Sequence, residues 1–493
     1  MSNGGGRNTR QRRDVWTLSR EKKWHPVIRW YERGIHELQE IDDVANPRSW
    51  IHLANIHGTF TPRRDWPSGL DNRAWNACQH GSWFFLPWHR MYLHHLEKIL
   101  RATIVKLGGP EDWALPFWNY DPKHPKTLAL PPAFIEAKTP DDRPNALFVR
   151  RRAQRIKNGE RVDADDVETS GWADRFTADS IVIPTFGGPK TGWAHNGPAF
   201  GQLELEPHGM VHVDVGGNDG DPTTGGFMSF FELAARDPIF WLHHANIDRL
   251  WEVWRNQTGH RNPSSRDWLN REFVFGSGNW RTSLAVKDVT QTTAAPIRYR
   301  YEGVPVPQVS ETTRRRTPEL ARSLDEEEPM EEEMPPVLVG TSDTKIPLGK
   351  RPTTVGVKLG PPKGRGARGA GAVDEEPTRR VYLTLENVTA TTLGAGTYVI
   401  HINAPAGGDP QSNRDRRAGK ISTFGLVEAS RTDEVHSGSG ATFSFEITDI
   451  VERLEAAGDW DPAEIRVTIT PKGDEAGGPD GAVLIGRVGV YYG

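Results

Sequence analysis

One cysteine, Cys78, stands in 493 residues. A lone thiol excludes any disulfide within the chain, so a fold stapled by covalent bridges is ruled out and the protein must rest on its apolar core. Charge of one sign is equally scarce. Sixty-one Lys and Arg face 65 Asp and Glu, a net charge of -4, which gives no electrostatic case for nucleic acid or an anionic membrane and leaves a small molecule or a protein as the expected partner. No apolar run approaches the ~20 residues of a membrane helix. The opening MSNGGGRNTRQRRDVW has an Arg-Arg pair without an apolar stretch behind it, so neither a Sec nor a twin-arginine signal is read and a cytoplasmic location is the expectation.

What is abundant is tryptophan, 18 residues, most of them before residue 282, which marks the first part of the chain as an aromatic core. The length suggests two or three domains. Apolar residues at three- and four-residue steps predict a helix from Arg20 to about Glu40, through Val27, Trp30, Tyr31, Ile35 and Leu38. A second runs from His89 through Leu93, Leu96, Leu100, Ile104 and Leu107 to the Gly-Gly-Pro at 108–110. A third starts near Asp237, with Pro238 in the first turn, where its missing N–H costs nothing. The first 300 residues therefore read as mainly helical.

After YRYEG at 299–303 the composition changes. ETTRRRTPELARSLDEEEPMEEEMPP, residues 311–336, is charge-blocked and reads as a linker. Beyond it VYLTLENV, TYVIHINAP, ATFSFEI, AEIRVTITP and AVLIGRVGVYY are strand-like runs between Gly, Asp and Pro, predicting an all-β sandwich. A Gly-rich interruption, GPPKGRGARGAGAVDEEP, reads as a loop within it. The expected plan is a helical domain over 1–302, a charged linker over 303–336 and a β domain over 337–493.

Two sets stand out among 17 histidines. His57, His80 and His89 lie among aromatic residues. EPHGMVH sets His208 and His212 one helical turn apart, where both rings can reach one ion, and DPIFWLHHANID adds His243 and His244. Imidazole suits copper, zinc, iron and nickel, and no second thiolate narrows the choice. Satisfied core histidines are the alternative, but two three-histidine sets in one aromatic core favour metal binding. A zinc or iron hydrolase stays open at this point.

HGSWFFLPWHRMYLHHLE and DPIFWLHHANID resemble the two copper signatures of the tyrosinase, catechol oxidase and hemocyanin family, and the chain looks like a bacterial polyphenol oxidase over about residues 15–302. The resemblance implies a four-helix bundle with two type-3 copper ions, one on His57, His80 and His89, the other on His208, His212 and His244. It implies dioxygen as co-substrate and oxidation of a small phenol or catechol to an o-quinone. A glutamate before His208 would order a water for phenol deprotonation; Glu204 is the candidate and Glu206 its competitor. The family's asparagine after that histidine is Gly209 here, which favours diphenol oxidation over monophenol hydroxylation. Phe227, Met228 and Gly209 are candidate gate residues, Asp248 would orient the ligand helix or its neighbours, and His195 is a candidate outer residue. His52, His94 and His95 are read as structural. Fungal relatives join a Cys-x-His pair as a thioether, which would link Cys78 to His80; a packed thiol is the simpler alternative. Tyr299-Arg300-Tyr301 resembles the mark ending the catalytic domain, and the β domain resembles one that covers the active site in some relatives. A true tyrosinase, an o-aminophenol oxidase and a hemocyanin-like oxygen carrier are the rival functions, and a copper chaperone is an expected partner.

Overall fold

The computed structural model describes residues 9–71, 73–193, 197–305, 335–360, 379–392, 396–405, 410–432, 438–472 and 481–493. Most of the expected linker, most of the Gly-rich interruption and His195 lie outside the described residues.

The helix expected from Arg20 to Glu40 is split: one short helix covers Val15–Glu21, and α1 (Pro26–Gln39) starts later than the periodicity predicts. The ring of His25 accepts from the Val27 N–H and Pro26 opens the first turn, so capping chemistry overrides the apolar pattern that continues backward through Trp24. Helix α2 (Trp50–His57) is capped by Ser49, whose side chain accepts from the His52 N–H. Helix α3 (Phe85–Lys106) begins four residues before His89, with Pro87 inside its first turn, and buries Leu93, Leu96, Leu100 and Ile104. A π-helical turn over Glu204–Gly209, broken by extended backbone at Glu206, leads into α4 (Met210–Gly216). Helix α5 (Pro238–Arg255) is capped by Asp237, which accepts from the Ile239 N–H. Asp237 also holds the buried Arg152 at 2.7 Å.

The ends of this helical part meet. Strand β1 (Arg10–Arg12) pairs in parallel with β2 (Tyr299–Tyr301). Their side chains converge on Asp248 of α5, which accepts from Tyr301 at 2.6 Å, from Arg12 at 3.4 Å, from Tyr299 and from Arg90 of α3. Arg12 also binds Glu97 at 2.6 Å and Arg90 binds Glu252 at 2.7 Å. All of these groups are buried. A buried charge is tolerated only when paired, and here each has several partners.

The C-terminal part is an antiparallel sheet of ten strands: β3 (Val337–Thr341), β4 (Ile346–Leu348), β5 (Thr353–Leu359), β6 (Val381–Ala390), β7 (Thr397–Ile402), β8 (Arg417–Ser422), β9 (Ala441–Glu446), β10 (Glu464–Pro471), β11 (Val483–Ile485) and β12 (Arg487–Tyr492). Its order is β8-β7-β10-β5-β3-β12-β6-β11-β4, with β9 also on β6. The expectation of an all-β unit needs correction. Two helices, α6 (Leu426–Ala429) and α7 (Thr448–Ala457), belong to it. In α7, Ile450, Val451 and Leu454 repeat at helical spacing on the buried face, and Gly458 in the left-handed conformation ends it.

The two parts share a boundary. Phe200 and Leu205 of the helical part pack on the β core, and Phe424, from the turn after β8, packs in the helical core. Charges bracket this exchange: Lys420 lies 2.7 Å from Glu206 and 3.1 Å from Asp166, Lys472 2.8 Å from Asp163 and Arg414 2.8 Å from Asp165.

Candidate metal centre

Five helical segments and one loop bring the predicted histidines together. His57 ends α2, His89 sits in the first turns of α3, His208 in the π-helical turn, His212 in α4 and His244 in α5; His80 comes from the loop before α3. His57, His80 and His89 form one triad with ring centroids 5.0 to 5.7 Å apart. His208, His212 and His244 form the second, at 4.7 to 5.8 Å. The triads touch where His89 stacks on His244, with centroids 4.5 Å apart and planes 11° from parallel.

Backbone carbonyls aim the rings. Nδ1 of His57 lies 3.0 Å from the Phe231 carbonyl, that of His89 2.8 Å from Phe85, that of His208 3.1 Å from Glu204 and that of His212 2.8 Å from Met228. A ring that donates from Nδ1 presents a lone pair at Nε2. The Nε2 atoms of His89, His208, His212 and His244 are indeed buried without a hydrogen-bond partner. Buried polar atoms are normally satisfied, so a group of this kind calls for a metal. Burial also keeps these imidazoles neutral: it pushes His89 down to about 3, and burial with the neighbouring histidines holds His208, His212 and His244 well below the ordinary range. Neutral imidazole is the ligating form. The donor set fits two copper ions.

The pattern HH left its third ligand open, and the surroundings distinguish the two rings. His243 Nδ1 lies 3.1 Å from the Tyr120 hydroxyl and its Nε2 is buried without a partner, and both His243 and His244 group with His208 and His212. His244 also groups with His57 and His89, its ligand atom within 4.8 Å of theirs.

Cys78 is buried; its Sγ donates to the His57 carbonyl at 2.8 Å and lies within 4.8 Å of the ligand atoms of His57 and His80. Burial holds the thiol protonated. Glu204 faces the cavity between the triads and its carboxylate accepts from the Gly81 N–H at 3.0 Å. Burial raises its pKa well above the carboxylate range, and that N–H only partly opposes the shift. Its competitor Glu206 is drawn away by Lys420. Gly209 lines the same cavity, and its carbonyl accepts from Ser422 at 3.0 Å. Asp248 touches no ligand ring and acts on the helices of His89 and His244 through the network described above. His52 and His95 lie outside the triads, bound at Nδ1 to the Val44 carbonyl and the Thr282 hydroxyl.

The expected gate needs correction. Phe227 lies under the Arg151 guanidinium, 4.3 Å from it, and Met228 meets the site through its carbonyl. The side chains over the rings are Phe231, 4.4 Å from His80 and 5.0 Å from His57, and Phe424, 3.9 Å from His212. The short 3-10 turns around Phe227–Ser229 and Ala234–Arg236 carry Phe231 inward. Phe424 had no signal in the sequence, since it arrives from the β domain through a turn at Gly425, φ +75°. With it in place the cavity keeps about 20 Å3, room for about one water.

Residues 47–257 match the common central domain of tyrosinase, and residues 335–493 a domain of unknown function. The chain is 33% identical to a tyrosinase of Hahella sp. (strain CCB-MM4) over 94% of this chain and 96% of that protein. It is 32% identical to chloroplastic polyphenol oxidase B of Solanum lycopersicum over 56% of this chain, a span of 47% of that plant protein. Its fold is similar to the structure of latent apple tyrosinase, with a TM-score of 0.63 at 21% identity over all of this chain and 99% of the other. With two histidine triads in place and a relative matched over nearly its whole length, the chain belongs to the tyrosinase family and is a copper oxidoreductase.

Proposed function

We propose that the chain is a polyphenol oxidase of preferred o-diphenol activity, with His57, His80 and His89 holding one copper and His208, His212 and His244 the other, in the family's four-helix bundle. The observation that carries this reading is the group of buried Nε2 atoms without partners that converge between α3, α4 and α5. When bound, the copper pair supplies the redox couple for dioxygen. Two catechols then give two o-quinones and two waters, each catechol losing two electrons and two protons. Phe231 offers the substrate ring an aromatic face beside His80. Glu204, held by Gly81, is the residue to order a water for phenol deprotonation. Gly209 has no side chain to align that transfer, which supports diphenol over monophenol chemistry.

The second element of the proposal is latency. The domain after the linker of 303–336 keeps substrate out by seating Phe424 on His212, and separation of the domains opens the site. Copper quantification with oxygen uptake on catechol, tyramine and o-aminophenol tests the activity. Turnover of catechol alone supports the reading, fast oxidation of tyramine without a lag overturns the diphenol preference, and a single oxygen-binding event without turnover assigns a carrier.

A further inference from the structure

Beside the plug, two carboxyl groups from different domains meet out of solvent. Glu232 follows Phe231 in the helical domain, and Glu428 lies on α6, four residues after Phe424. Both are buried, 5% and 2% exposed. Both reach the same guanidinium, that of Arg431, and two carboxylates buried around one cation favour the state in which one keeps a proton. The oxygens Glu232 Oε2 and Glu428 Oε1 are buried without a hydrogen-bond partner. Among the described residues, the charged or titratable groups facing them are Arg431, 3.0 Å from Glu232 and 3.8 Å from Glu428, and the Cys78 thiol.

We infer that the Glu232–Glu428 carboxyl pair is a proton-held latch between the domains, closed while the pair shares a proton and released when the proton is lost. The inference rests on the latency reading above. Burial first, and then Glu232, raise Glu428 from its ordinary 4.5 to about 8 in the closed protein, with Arg431 opposing. The closed state therefore binds more protons than the open one between those values. Its advantage is complete at low pH, falls by up to about tenfold per pH unit across the window, and is gone once pH passes about 8. A second carboxylate in that pocket would face an uncompensated like charge, because Arg431 already serves Glu232.

The test uses full-length copper-loaded enzyme and tropolone, a small chelating inhibitor that enters only an open site. Its affinity is read by absorbance between pH 6 and 8.5 for the natural chain and for Glu428→Gln, and the ratio of the two cancels the titration of tropolone itself. The natural chain should gain at least about tenfold over the variant across this range. Superimposed profiles overturn the latch. Glu428→Leu, suited to an apolar pocket, replaces the amide variant if that one fails to fold. In the natural chain alone, backbone hydrogen exchange of residues 417–432 should quicken over the same range relative to α3, and unchanged protection overturns the latch as well. Phe424→Ala at pH 6 separates the two claims. If it leaves tropolone affinity unchanged, the latency reading falls; if it raises affinity while the natural chain and Glu428→Gln superimpose, only the latch falls.

Discussion

The Phe424 ring lies flat on the His212 imidazole, centroids 3.9 Å apart and planes 16° from parallel. It also packs edge-on to His208 at 5.7 Å, and under the proposed latency it fills the space a substrate ring would take. Removing it should open the site without touching a ligand. An aromatic pair contributes about 0.5–1.5 kcal/mol beyond burial, so Phe424→Ala in the full chain should raise oxygen uptake on catechol about tenfold. An oxygen electrode reads this directly.

Copper content should separate the adjacent histidines. His244→Asn is expected to lower the metal from two ions to about one per chain, since both its ring nitrogens are open to a ligand. His243→Asn should keep both ions, because His244 and not His243 also groups with His57 and His89 where the triads meet. Elemental analysis after dialysis decides, and equal loss in both variants would return the choice of ligand to the pair.

Glu204→Gln removes the carboxyl group that would order the deprotonating water but keeps a side-chain oxygen for the Gly81 N–H. Oxidation of monophenols should fall about a hundredfold and that of catechols much less, in line with the usual contribution of a positioned base. Equal losses on both substrates would show that the residue serves the fold alone.

Peptide mass spectrometry of the copper-loaded protein should find Cys78 joined to His80 with the loss of two hydrogens. The bond would remove a thiol from an oxidising site. Alkylation of Cys78 in the unfolded, copper-loaded preparation would show instead that the thiol is only packed.

Asp248→Asn leaves Arg12 and Arg90 buried with their shared carboxylate gone. Breaking such a network costs about 3–5 kcal/mol, which should lower the midpoint of thermal unfolding by at least about 6 °C. The six proposed ligands are untouched, so copper affinity in the surviving fold should change far less.

The local chemistry of this protein is written in short stretches, and those stretches were readable. Asp237 and Pro238 mark the start of α5, the leucines after His89 mark the buried face of α3, and two signatures carry the histidines of both triads. What was hidden depends on meetings between distant segments. Phe424 and Ser422 reach the site across more than 200 positions, and nothing in KISTFGL sets them apart from any other strand end. Phe231 was passed over for Phe227 because adjacent aromatics in one loop look alike until short turns point one inward and one toward Arg151. Apolar spacing misplaces the start of α1 for a simpler reason: it does not see that His25 can cap a helix. The role of Asp248 was half legible, as a residue one turn beyond His244, while its partners Arg12, Tyr299 and Tyr301 come from both ends of the domain.

That last arrangement sets a schedule for biosynthesis. The helices bearing His89 and His244 are clasped through Asp248 by strands from residues 10–12 and 299–301, so the clasp is finished only after the final strand leaves the ribosome. A nascent chain with every ligand already made would still hold them on unfastened helices. Metal insertion thus belongs after translation of the domain, and a chain truncated shortly before Tyr299 would carry all six histidines yet keep copper poorly.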